Sequence, residues 1–270
     1  MGNTTKTTYK KVKGSKPTSN YPKSSTPRKS LEEKLHQIYY GSVNLDTTCK
    51  GQVVCCKTAM PQLNRSEYEV LVNKIWSSSS KSQKIELICK SVEYFLKTKF
   101  EQFGLEIFHK PCMLLSDDGK CKYYENRPLS CRTYGLWPDA TYNARVDRFE
   151  KAYSELGVKR EELPLNVQCP NVKRVDDSVI LTDDLINRLY KKLDDLDKKV
   201  GNYSYKQIEE KYNYRTFADW LLLSIFGEDW LIELSRFVLG ANKEIVEGQI
   251  EAFKKVIREK FAKEMPNIGD

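Results

Sequence analysis

The sequence predicts a mainly α fold with little β structure, in which an irregular cysteine-rich lobe is wrapped by helices. Three observations carry this expectation. Apolar residues recur every three or four positions over several long stretches, the period of a helix packed on one face. Helix-start signals of the Ser-x-x-Glu type precede two of those stretches. The stretch Cys112 to Gly135, CMLLSDDGKCKYYENRPLSCRTYG, has neither period and carries cysteines, turn residues and proline instead. At 40% hydrophobic and 11% aromatic, 270 residues can bury a sizeable core, so global disorder is not expected.

Three regions follow from this pattern. Residues 1–29 form a basic tail, 30–175 a cysteine-cluster domain, and 176–270 a helical C-terminal region packed on it. The formal charge of +8 lies wholly at the start. Residues 1–30 hold Lys6, Lys10, Lys11, Lys13, Lys16, Lys23, Arg28 and Lys29 with no acid, which leaves 37 bases against 37 acids elsewhere. The tail is rich in Ser, Thr and Pro and too poor in apolar residues to order itself. It reads as a solvated arm, with a weaker case for contact with an acidic partner or nucleic acid, since Tyr9 and Tyr21 are its only aromatics for stacking.

Ser30 with Glu33 is a capping box for a helix over 31–40, ended by Gly41. His36 within it reads as an ordinary helical residue. Ser66 with Glu69 marks a second helix through Val70, Leu71 and Ile75, broken by the serine run at 77–80. A longer helix covers roughly 82–103, with Ile85, Ile88, Val92, Phe95, Leu96 and Phe103 as its stripe and Gly104 as its stop. Cys89 lies in that stripe and reads as core packing. Further on, 178–182 suggests a short strand, Thr182 caps a helix, 217–238 is strongly apolar and helical, and 242–264 is an amphipathic last helix. Its face reads as core packing, with a surface for a protein partner or a membrane-surface helix as the alternatives.

Seven of the eight cysteines read as one site. Cys49, Cys55 and Cys56 form a first group, Cys112, Cys121 and Cys131 a second, and Cys169 follows alone. Adjacent Cys55 and Cys56 are too close for good disulfide geometry. No secretory h-region or transmembrane run is present, so the expected place is the cytoplasm, where thiols stay reduced and a cysteine cluster is metal-binding or catalytic. The Asp117-Asp118-Gly119 turn folds the arms bearing Cys112 and Cys121 together. Pro128 stiffens the approach to Cys131. Arg127 and Arg132 can offset thiolate charge by donating to sulfur, the alternative being a surface ion pair with Glu125 or Asp117. His109 is a possible further ligand on spacing alone.

These residues resemble the CxxCxxCC, or YkgJ-type, family of zinc- or iron-chelating cysteine-cluster proteins. Cys49, Cys55 and Cys56 match the first, third and fourth cysteines of the naming motif, and Gln52 stands at the second. Cys112-x8-Cys121 with GKCKYYENRPLSCRTYG is similar to the second block, with Met113 where proline is usual, and Cys169-Pro170 to the trailing cysteine. The resemblance spans roughly 45–172 and implies a metal or iron–sulfur site. One better-understood relative, the flagellin lysine N-methylase, implies protein-lysine methylation as the alternative activity.

Absences narrow the chemistry. No GxG pair occurs, so there is no dinucleotide fingerprint, P-loop or Gly-rich adenosylmethionine loop. No CxxC occurs, against a thioredoxin-like pair and ordinary zinc knuckles. Seven thiols exceed the four of a single [4Fe–4S] cluster or zinc ion. The expectation is an iron–sulfur cluster with spare ligands, zinc being the alternative, in an electron-transfer, sensing, structural, chaperone or enzymatic role.

Overall fold

The computed structural model describes residues 28–41, 45, 56–57, 60–104, 111–154, 172–173, 181–200, 215–266 and 268. The fold is mainly α, as expected. Helix α1 spans Arg28–Tyr40. It starts two residues earlier than the Ser30 signal, and Ser30 lies inside its first turn. Leu31, Leu35, Ile38 and Tyr39 form its buried stripe. It stops at Gly41, whose N–H reaches the Gln37 carbonyl at 2.8 Å. A Cβ on Gly41 would lie 2.4 Å from that same oxygen, so the position excludes a side chain.

Helix α2 spans Arg65–Ser78 and is capped by Asn64, two residues before the expected Ser66. The Glu67 carboxylate accepts the Asn64 N–H at 2.9 Å. The working signal is thus Asn64-x-x-Glu67, and Glu69 instead pairs with Arg65 at 2.5 Å. The reason is tertiary. Asp197, far along the chain, accepts the N–H groups of Arg65 (3.0 Å) and Ser66 (2.8 Å), so the helix extends back past Ser66.

Helix α3 is Lys81–Gly104, the predicted long helix. A four-residue helix α4, Leu129–Arg132, follows the second cysteine block. Helix α5, Asp139–Ser154, was not anticipated. Its sequence carries apolar residues at helical spacing, Tyr142, Val146, Phe149 and Tyr153, and among its described side chains Val146 is buried. Helix α6, Asp183–Val200, begins as expected at Thr182, whose Oγ1 accepts the Leu185 N–H at 3.2 Å. Of the strand expected at 178–182, residues 178–180 lie outside the described residues, and 181–182 are not strand.

The apolar run 217–238 is two helices, α7 (Phe217–Phe226) and α8 (Glu228–Val238). Gly227 separates them at φ 84°, ψ 171°, a backbone region open essentially to glycine. Helix α9, Lys243–Lys263, is capped by Asn242, whose Oδ1 accepts the Ile245 N–H at 2.9 Å. The β structure is one antiparallel pair, β1 (Gln62–Leu63) with β2 (Arg215–Thr216), registered Gln62 to Thr216. Trp220 Nε1 donates to the Leu63 carbonyl at 2.9 Å beside it.

Two apolar clusters hold these elements. One gathers α2, α3, α7, α8 and α9, and takes in Cys112 and Leu114. The other gathers α1 and α6 with Leu45 and Leu129. Each fully buried Leu, Ile or Phe contributes on the order of 1.5–3 kcal/mol. Residues from both sides of position 175 enter both clusters, because α6 packs on α1 and α2, and α9 packs along α3. The amphipathic face of α9 is thereby accounted for: Val246, Ile250, Ile257 and Phe261 are buried in the core. Among the described residues no helix is long and apolar enough to cross a membrane.

Candidate metal centre

Of the seven cysteines assigned to the site, Cys56, Cys112, Cys121 and Cys131 fall within the described residues. Cys49, Cys55 and Cys169 lie outside them, as does His109. Cys56 and Cys112 meet through the backbone: the Cys112 N–H donates to the Cys56 carbonyl at 2.6 Å. Residues 56 positions apart in the chain are thus neighbours.

The expected turn between Cys112 and Cys121 is present. Gly119 adopts φ 75°, and its N–H reaches the Ser116 carbonyl at 2.8 Å. Ser116 Oγ bonds Asp118 and the Lys120 carbonyl. Those bonds and the Lys120 ammonium hold the Asp118 carboxyl below its ordinary range. The arms pair as an antiparallel bridge, Leu115 opposite Cys121, with the Lys122 N–H on the Leu114 carbonyl at 3.3 Å. Met113, standing where proline is usual, accepts from Ser91 Oγ at 3.5 Å and ties this hairpin to α3. Tyr94 of the same helix sits near Cys112. Its hydroxyl accepts the Met60 N–H at 3.3 Å, and burial pushes its pKa up to about 12.

Cys131 is carried by α4. That helix is too short to hold itself. Its anchors are tertiary: the Leu129 side chain is fully buried, Ser130 Oγ donates to the Gln62 carbonyl at 2.6 Å, and the Leu129 N–H donates to Glu67 Oε1 at 2.6 Å. Cys112 belongs to one apolar cluster and Leu129 to the other, so the cysteine lobe straddles both.

The two arginines are placed differently from the simplest expectation. Arg132 is 2% exposed. Its Nε donates to the Arg127 carbonyl (2.8 Å), Nη1 to the Tyr40 hydroxyl (2.6 Å) and Nη2 to the Glu125 carbonyl (2.6 Å). Its guanidinium lies 4.6 Å from the Tyr39 ring centroid. Arg127 donates from Nε to the Tyr124 carbonyl at 2.9 Å and stacks 3.5 Å from that ring. Among the described residues neither guanidinium hydrogen-bonds a cysteine sulfur, and neither forms an ion pair. Both fix the loop 124–132, whose last turn carries Cys131.

Beside the lobe is a cavity of about 670 Å³, lined among others by Glu32, His36, Tyr39, Glu67, Tyr123 and Arg132. Glu67 is the group that sequence reasoning missed. It is buried, accepts the Tyr39 hydroxyl at 2.6 Å and two backbone N–H groups, and burial lifts its pKa to about 7. Burial and the nearby Glu67 carboxylate raise Tyr39, and the Cys131 charge adds to the same direction. The signal was available as Asn64-x-x-Glu67, an Asn-type cap with its glutamate three residues on. Cys89, by contrast, sits in the core, its thiol 3.8 Å from the Lys254 carbonyl and its pKa raised by burial.

Residues 47–170 match the family model CxxCxxCC, described as "Putative zinc- or iron-chelating domain". The matched segment is a CxxCxxCC domain. All seven assigned cysteines fall inside it, and α1 and α6 to α9 lie outside it as the walls it packs against. No curated protein and no solved structure matches the chain. The donor set fits the metals of the description: thiolates suit both zinc and iron. Among the described residues no three His, Cys, Asp or Glu side chains converge to hold a metal, so the four described thiols do not by themselves close a centre in the CxxCxxCC domain.

Proposed function

We propose that the CxxCxxCC domain holds a Cys-ligated iron–sulfur cluster, of the [4Fe–4S] kind, completed by Cys49, Cys55 and Cys169 together with Cys56, Cys112, Cys121 and Cys131. What supports this reading is the bond from the Cys112 N–H to the Cys56 carbonyl, which holds one cysteine of the first group beside one of the second. Seven thiols without any CxxC pair suit a cluster with spare ligands better than a lone structural zinc. Arg127 and Arg132 would supply compensating positive charge close to an anionic thiolate centre without ligating it. Zinc on the same thiols is the second reading, supported by the family description itself. The cluster would serve electron transfer or sensing if its positions are closed, and substrate binding if one iron is open.

The deciding experiment is metal and acid-labile sulfide content with a visible absorption spectrum, on full-length protein purified without oxygen. Iron with sulfide and a broad brown absorbance supports the cluster. Zinc without colour or sulfide sinks it and leaves a zinc module.

A further inference from the structure

Building on the metal-binding reading above, we infer that Glu67 is a positioning residue for Cys131, acting through the helix α4 that carries the thiol. The carboxylate is 4% exposed and accepts three hydrogen bonds from three separate pieces of chain. They come from the Tyr39 hydroxyl on α1 (2.6 Å), the Asn64 N–H at the start of α2 (2.9 Å) and the Leu129 N–H at the start of α4 (2.6 Å). Through these bonds it joins α4 to both α1 and α2. Ser130 reaches β1, and Arg132 reaches Tyr40 and its own loop.

A four-residue helix has one turn and almost no stability of its own, so its position follows its anchors. Moving Leu129 moves Cys131, two residues on. Groups that orient a metal ligand from behind commonly change metal affinity 10–100-fold when altered. Glu67 also lines the 670 Å³ cavity beside the lobe.

The test uses the full chain, purified without oxygen and stripped of metal, as wild type, Glu67→Gln and Tyr39→Phe. Zinc affinity is measured by competition with a chromophoric chelator. Cobalt(II) absorption in the thiolate charge-transfer region reports how many sulfurs bind. Thermal melting of the metal-free proteins reports the fold alone. Glu67→Gln is expected to weaken zinc about 10–100-fold and to lower the cobalt–thiolate absorbance. Tyr39→Phe should shift both in the same direction by less. A Glu67→Gln protein that binds zinc as tightly as wild type with the same cobalt spectrum overturns the inference, even if it melts earlier. Should that variant not fold, wild-type affinity and spectrum in Tyr39→Phe overturn it instead. A wild-type protein that takes up neither zinc nor cobalt removes the metal reading itself, a result separate from either variant's.

Discussion

Replacing Asp197 by Ala should destabilise the protein by about 3 kcal/mol, because this one carboxylate caps a helix to which it is not joined in sequence. It is 4% exposed and accepts the Arg65 N–H (3.0 Å), the Ser66 N–H (2.8 Å) and Asn64 Nδ2 (3.2 Å). Alanine leaves two first-turn N–H groups of α2 buried without their acceptor, at roughly 1–3 kcal/mol each. Part of that is offset, since burial raises the Asp197 pKa and the folded protein already bears a cost for the charge. An exposed cap costs only about 0.5–2 kcal/mol, so the excess measures burial. Asp197→Asn keeps one acceptor oxygen and should lose roughly half as much. The assay is urea unfolding followed by tryptophan fluorescence, with Trp220 bonded beside the same junction. A slope near 3 kcal/mol/M turns the loss into a midpoint shift of about 1 M. An alanine variant within about 0.5 kcal/mol of wild type would refute the reasoning, by showing that those N–H groups find another partner.

Four further outcomes are expected. Glu67 titrates at about 7 in the fold against an ordinary 4.5, so the folded chain holds a proton that the unfolded chain has lost between those values. Stability should therefore fall as pH rises from about 4.5 to 7, by about 3 kcal/mol, and Glu67→Gln should flatten that slope in urea titrations at pH 5 and 7.5. A rise in stability over the same window contradicts the assignment. Gly227→Ala forces a side chain into φ 84°, ψ 171° and should cost about 2 kcal/mol, read as a lower melting temperature. Trp220→Phe removes the donor to the buried Leu63 carbonyl and should cost about 1–2 kcal/mol by the same measurement. Cys121→Ser should lose metal, whereas Cys89→Ala should keep it and only melt earlier; metal loss in Cys89→Ala would place that thiol in the centre.

How far the sequence was legible depends on whether a signal is local. The mainly α class, the long helix α3, the Thr182 cap of α6 and the Asp-Asp-Gly turn were all readable, because period, cap and turn chemistry act within a few residues. The cysteine spacing likewise marked a metal-binding segment before any fold was known. The start of α2 was misplaced because two local caps competed, and Asp197 decided between them from 132 positions away. Helix α5 also carried a local signal, Tyr142, Val146, Phe149 and Tyr153 at helical spacing, directly after the stretch read for its cysteines. Whether α9 faced a partner or the core was also open in the sequence. An amphipathic face states only that something covers it, and the packing of α9 along α3 supplied what. The junction at Glu67 is of the same kind. Tyr39, Asn64 and Leu129 meet only because α1, α2 and α4 are brought together by two shared apolar clusters. Residue types and spacing marked a cysteine-rich segment that matches a zinc- or iron-chelating family. Long-range burial and the need to pair buried donors decided how α4, the helix that carries Cys131, is anchored.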